Sequence, residues 1–224
     1  YPLRRQRQMC IRDRLKERGI TVAHVVSSSK FAMKCEEAGV DAIVAEGFEA
    51  GGHNGREETT TLCLIPAVRE ATTLPLIAAG GIGTGEAIFA LMALGAEGVQ
   101  MGTRFALTDE SSASDIFKEY CLRLNEGDTK LLLKKLAPTR LVTNSFRDRL
   151  EAAEGRGASA EELRELLGRG RAKKGIFEGD LEEGELEIGQ VAALFRRRQS
   201  VDEVMKELLE GYRRASDKIR SAGL

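Results

Sequence analysis

From Gly19 onward, short apolar runs alternate with segments of helical spacing. Ile20 to Val26 is apolar and β-branched, Lys30 to Ala38 carries Phe31, Met33 and Ala38 on a helical pattern, and Asp41 to Ala45 is apolar again. Thr60 to Ala71 predicts a helix through Leu62, Leu64, Ile65 and Val68. Leu74 to Ala79 predicts a strand, Glu86 to Leu94 a helix, and Gly98 to Met101 a short strand. Strands that are apolar almost throughout need cover on both faces, as in a parallel sheet wound with right-handed crossovers. The first half of the chain therefore reads as an α/β unit with about four parallel strands.

After Arg104 the rhythm changes. Ala113 to Leu124 has helical spacing, and Lys130 to Val142 is a basic and apolar stretch broken by Pro138. Charged helix follows, punctuated by Gly155, Gly157, Gly168 and Gly170. Asp202 to Ser221 places Val204, Leu208, Leu209 and Tyr212 on one face, the spacing of an amphipathic terminal helix. A helical appendage is expected over 113–224.

Two corners carry candidate chemistry. Gly80-Gly81-Ile82-Gly83-Thr84-Gly85 follows one strand, and Gln100-Met101-Gly102-Thr103 closes the next. Neighbouring strand ends that open into glycine and then helix offer backbone N–H groups and helix termini to one phosphate, the arrangement barrels use after strands seven and eight. The glycines do not follow the dinucleotide pattern G-x-G-x-x-G, and no acidic ribose ligand ends a following strand, so a Rossmann reading is unsupported.

The third segment, Glu46 to Gly55, lies at the carboxyl end of the Asp41 to Ala45 strand, and its glycines hold a loop open around His53. An imidazole there suits proton abstraction or hydrogen bonding to a developing anion. The plain alternative for a loop histidine is a solvated or turn-stabilising side chain. His24, in the middle of the first strand, reads instead as a hydrogen-bonded interior histidine.

Composition narrows the classes. Net charge is −1 over 224 residues, with acids and bases interspersed, so nucleic acid and anionic membrane are not indicated as partners. The basic residues Lys134, Lys135, Arg140, Arg169, Arg171, Lys173 and Lys174 read as solvated faces. Cys10, Cys35, Cys63 and Cys121 have neither zinc-ligand nor disulfide-framework spacing, which fits a reducing, cytoplasmic compartment and no metal site. No apolar run approaches the roughly 18 residues of a membrane span.

The segments Ala45-Glu46-Gly47-Phe48-Glu49-Ala50-Gly51-Gly52-His53, Ile77 to Ile82, Gly98 to Phe105 and Gly189-Gln190-Val191, in this order, resemble the nitronate monooxygenase (2-nitropropane dioxygenase) family and its relative, the flavin-dependent enoyl-ACP reductase II. The resemblance runs from about Leu15 to the carboxyl terminus. It implies an FMN-binding TIM barrel with a helical lid, with the flavin phosphate on Gly80, Gly81, Gln100, Met101, Gly102 and Thr103. Gly51 would lie near the flavin, and His53 would be the active-site histidine facing the nitro group. The implied reaction is oxidation of an alkyl nitronate by dioxygen to a carbonyl compound and nitrite. The reductase alternative would need NAD(P)H, and a non-catalytic flavin binder, with the lid serving contacts between copies in a homo-oligomer, is a third reading. Gln190 could cap a helix or reach toward the flavin.

Two departures qualify the carry-over. Glu46 stands where many nitronate monooxygenases have glutamine, as the reductase branch tends to. A (β/α)₈ barrel takes eight strands and about 250 residues, whereas about four strands are legible here, so the chain reads as the carboxyl-terminal half of a TIM barrel (15–112) with its appendage (113–224). Residues 1–14 match neither strand nor amphipathic helix and are expected to be foreign to the parent sequence, with a basic natural leader as the alternative. An unclosed half is expected to bind FMN weakly or not at all, with activity belonging to the longer parent.

Overall fold

The computed structural model describes residues 11–223. Four strands, β1 (Ala23–Val26), β2 (Ala42–Glu46), β4 (Leu76–Ala79) and β5 (Gly98–Gln100), lie side by side in that order, and every pairing is parallel. Their connections carry α1 (Ser29–Glu37), α2 (Thr61–Ala71) and α3 (Gly85–Ala93). Alternate strand residues point to the helices, so Ile43, Ala45, Leu76 and Ala78 meet Leu64, Ile65, Val68 and Leu91 in one core. Val44 and Ala79, on the opposite face, are also buried, which explains the lack of polar alternation in the sequence.

The sheet is an arc of the TIM-barrel type and does not close. β1 and β5 each have one neighbour, and Val25 on β1 is 48% exposed. That edge position corrects the reading of His24. It is half-buried rather than interior, with Nδ1 2.8 Å from the carbonyl oxygen of its neighbour Val25.

Part of the expected leader is helical. Residues 11–16 form helix, which ends where Gly19 (φ +70°) lets the Ile20 N–H return to the Leu15 carbonyl. Lys16 then pairs with Asp41, whose carboxylate also accepts from the Val22 N–H. The rest of the expected leader, residues 1–10, lies outside the described residues.

Beyond the sheet come α4 (Thr103–Ala106), α5 (Asp115–Cys121), α6 (Ser145–Gly155), α7 (Ala160–Leu167) and α8 (Val201–Ser221). Each of the last four starts at a polar cap: Ser114, Asn144, Ser159 and Ser200 accept from the third helical N–H, and Glu162 and Glu203 complete capping boxes. The appendage is not helical throughout, however. Lys130 to Val142 contributes two antiparallel strands, β6 (Thr129–Leu132) and β7 (Thr139–Val142), with Leu132 opposite Thr139. β7 also pairs with the two-residue strand β3 (Gly52–His53), joining Gly52 to Arg140 and His53 to Thr139. The basic residues masked an ordinary strand pattern in which Leu131, Leu132, Leu141 and Val142 are buried.

α8 seals the outer side of α3 at backbone distance. A Cβ on Gly85 would stand 2.1 Å from the Leu208 carbonyl oxygen, and Gly211 of α8 faces the Gly85 Cα. Phe89 and Tyr212 meet edge to face at 5.6 Å beside this contact.

Candidate functional site

The loop after β2 is held from three sides. Gly47 N–H continues the sheet to the Ala79 carbonyl at 2.9 Å. Glu49 turns back onto the start of α2, where its carboxylate accepts from the Thr61 N–H at 2.9 Å. The buried Thr61 hydroxyl lies 2.9 Å from Glu49 Oε2 and 2.8 Å from the Gly80 carbonyl, tying the loop to the first glycine corner. Gly80 is at φ +92°, with the Gly47 carbonyl oxygen 2.7 Å from where a Cβ would be, so only glycine fits.

The second support comes from β7. Arg140, 1% exposed, donates through Nη2 to the Phe48 carbonyl at 2.7 Å and through Nε to the Ala50 carbonyl at 3.2 Å. Its guanidinium also lies 4.4 Å from the Phe48 ring centre. Burial makes the charged guanidinium harder to keep, while the negative charges of Glu49 and Glu58 favour it. The expectation of a solvated Arg140 is therefore corrected: loop carbonyls and an aromatic face replace its water.

The third support is the stretch Glu185 to Gly189. Gly51 packs directly on its backbone, since a Cβ there would be 2.4 Å from the Ile188 carbonyl carbon. Gly189 N–H donates to the Thr103 hydroxyl at 2.9 Å, and Gln190 N–H to the Glu49 carbonyl at 3.0 Å. Gln190 opens a 3₁₀ turn, Gln190–Leu194, and its side chain is exposed outside the main cavity.

Between these elements lies a cavity of about 260 Å³. Gly51, Gly80, Gly81, Gln100, Met101, Gly102 and Thr103 all line it, so both glycine corners open onto one space. The amides of Gly81, Gly102 and Thr103 have no hydrogen-bond partner among the described residues. The α3 terminus does not share this space. Thr84 caps it by accepting from Ala87 N–H, Gly85 is pressed against α8, and Gly83 faces Val191 and Phe195. Any anion here would rest on strand-end amides rather than on the α3 dipole.

The remaining wall includes Ile82, Ile176, Ile188 and Val191, with two carboxyl groups, Glu46 and Glu187. Burial pushes both carboxyls above the ordinary carboxylate range, and the charge of His53 opposes this at Glu187. No Lys, Arg or His lines the cavity among the described residues. His53 does not line the cavity: it follows the buried Gly52 in β3, and its side chain is exposed. Sequence reading missed Glu187 and Ile188, although Glu185-Leu186-Glu187-Ile188 alternates polar and apolar like a half-buried strand.

A parallel arc whose strand ends open onto a glycine-lined cavity defines an α/β enzyme of the (β/α)₈ class. The family model described as Nitronate monooxygenase matches residues 4–211, and the chain belongs to this oxidoreductase family. It is 39% identical to a probable nitronate monooxygenase of Staphylococcus aureus over 154 residues, 64% of this chain and 43% of that protein. Among solved structures, FabK from Thermotoga maritima matches with TM-score 0.87 and 37% identity, covering 93% of this chain and 66% of that one. A nitroalkane oxidase from Streptomyces ansochromogenes matches with TM-score 0.76 and 29% identity, covering 94% and 62%. The chain thus spans less than half the length of the curated relative and about two-thirds of the solved ones.

Proposed function

We propose that the chain forms the phosphate-holding side of an FMN site in an enzyme that oxidises alkyl nitronates with dioxygen to carbonyl compounds and nitrite. The carrying observation is that both glycine corners and Gly51 line one cavity, with unpaired amides at Gly81, Gly102 and Thr103. Those amides fit a phosphate, which needs donors more than it needs a lysine. The volume, about 260 Å³, is just under the roughly 300–1,000 Å³ of complete small-molecule sites, in keeping with one wall of a larger site. Flavin, when bound, supplies redox chemistry that no amino acid side chain offers.

In this reading the residues divide the work. Gly80 and Gly81 allow close backbone approach, and Thr103 helps hold the rim through Gly189. Ile176, Ile188 and Val191 exclude water on the far wall. His53, next to Gly52 on β3, donates a hydrogen bond to the nitronate oxygens.

One observation favours a second reading, NAD(P)H-dependent reduction of an enoyl thioester. The cavity's ionisable side chains are carboxyls, Glu46 and Glu187, and an uncharged enoyl thioester meets less repulsion there than a nitronate anion. The three described cysteines, Cys35, Cys63 and Cys121, are free, which supports a reducing, cytoplasmic setting. A protein of full family length that contains this chain, loaded with FMN and given propyl nitronate under oxygen, should release nitrite. Absence of nitrite together with NAD(P)H consumption on a crotonyl thioester selects the reductase reading, and absence of both with flavin bound selects a binder.

A further inference from the structure

We infer that Arg104 and Phe195 are positioning residues for the phosphate: stacked on each other outside the cavity, they set the gap between the two glycine corners, and Glu207 of α8 locks the stack. This rests on the phosphate reading given above and adds to it the groups that hold both corners at one spacing.

Both corners rest on one aromatic ring. On the first corner, a Cβ on Gly83 would stand 2.6 Å from Phe195 Cζ, so the backbone that follows the cavity residue Ile82 sits directly against the ring. On the second, Arg104 follows Thr103 within α4, and its guanidinium carbon lies 4.3 Å from the centre of the same ring. Phe195 is itself buried in the apolar cluster that contains the wall residues Ile188 and Val191. Trimming this ring would leave each corner without the surface that relates it to the other.

Two consecutive residues of α8 close the arrangement from outside. The Leu208 carbonyl oxygen blocks the space beside Gly85 at the first corner, and Glu207 Oε2 accepts from Arg104 Nη2 at 2.7 Å at the second. Gln199 completes a triangle, since its Oε1 accepts from Arg104 Nη2 at 2.9 Å and its Nε2 donates to Glu207 at 2.8 Å. The Gln199 carbonyl also accepts from the Asp109 N–H at 3.0 Å, which fixes the amide's own position.

Packing alone does not call for an arginine here. Arg104 is 4% exposed, and its Nε is the only buried side-chain polar atom without a partner among the described residues. An apolar side chain of similar volume would fill the space without a buried charge or an unpaired donor. Arg104 does not touch the cavity, whereas Thr103 and Ala106 of the same short helix line it. What the guanidinium supplies is geometry: it is flat enough to stack on Phe195 while Nη2 reaches Gln199 and Glu207. Corner amides that shift by a fraction of an ångström no longer converge on one phosphate.

The test uses a protein of full family length that contains this chain, and compares FMN with riboflavin, which has the same ring system and no phosphate. In fluorescence titrations, Glu207→Gln, Arg104→Met and Phe195→Leu should each weaken FMN binding about tenfold or more and leave riboflavin binding within about twofold of wild type. Arg104→Lys should recover only part of the FMN affinity, because an ammonium does not stack as the flat guanidinium does. The Glu207 side chain is 54% exposed, so Glu207→Gln keeps the fold even where a buried replacement does not. An equal loss for both ligands in Glu207→Gln, or no loss for either, overturns the inference. A wild-type protein that binds FMN no more tightly than riboflavin overturns the phosphate reading itself, and the inference with it.

Discussion

Arg140 and Phe48 join the two halves of the chain: the arginine's Nη2 sits 2.7 Å from the Phe48 carbonyl while its guanidinium stacks 4.4 Å from the same residue's ring. One side chain from the appendage thus grips both the backbone and the side chain of a loop that rises from the parallel sheet. The appendage is consequently part of the site, because the strand carrying Arg140 also pairs with Gly52 and His53.

Replacing Arg140 by Met keeps much of the volume and removes every arginine donor, leaving the Phe48 carbonyl without a partner while the Ala50 carbonyl keeps Asn54 Nδ2 at 2.9 Å. The expected loss is about 1–3 kcal/mol, read as a lower urea midpoint, the cost of one buried unpaired carbonyl. Arg140→Lys should recover only part of it, because an ammonium cannot fork to two carbonyls and stack at once.

The first half of the chain was legible because its physics is local. Strands buried on both faces write continuous apolar runs, so Asp41 to Ala45 was read within one residue of the observed Ala42–Glu46, and Lys30 to Ala38 within one of Ser29–Glu37. The glycine corners were legible for a similar reason: positive φ at Gly80 and Gly81 requires glycine. What stayed hidden depends on partners distant in sequence. Arg140 looks like any basic residue until Phe48, 92 positions away, supplies its carbonyl. The edge position of His24 and the covering of the α3 terminus by Gly211 likewise follow from neighbours that no local pattern announces.

Gly81 and Gly102 both line the cavity, but they should respond differently to alanine. Gly81 is at φ +69° and its Cβ would stand 3.0 Å from the Glu49 Cβ, whereas a Cβ on Gly102 meets nothing within 4 Å. Gly81→Ala is expected to cost about 1–3 kcal/mol in thermal unfolding, and Gly102→Ala close to nothing. Both should weaken FMN binding, by about tenfold or more in a fluorescence titration, if the amides at these corners hold the phosphate.

The contact between α3 and α8 offers a separate test of how the appendage is fastened. Gly85→Val would drive a branched side chain into the Leu208 carbonyl, 2.1 Å from the Cβ position, so the helix must lift. A loss of about 3 kcal/mol is expected, from overpacking together with the parted Phe89–Tyr212 pair. Urea unfolding should also show a smaller m-value if α8 undocks before the rest, since less surface then remains to be exposed.

Stability should fall as pH rises through neutrality. Burial, reinforced by the nearby negative charge of Glu187, pushes the Glu185 carboxyl up from the ordinary 4.5 to about 7, with Arg171 opposing. The folded chain therefore binds a proton that the unfolded chain has released, and between those values the folded state holds more protons. Stability from this group is fully present below pH 4.5 and is lost progressively toward pH 7 and above, by an amount on the order of 2–3 kcal/mol. Glu46 and Glu187 are shifted in the same direction and add to the same slope. Denaturation measured at pH 5, 6, 7 and 8 should show the decline in the wild-type chain and a flatter profile in Glu185→Gln, with the variant the more stable of the two at pH 8. A wild-type stability that rises over that range would mean that the buried carboxyls are already ionised in the folded state.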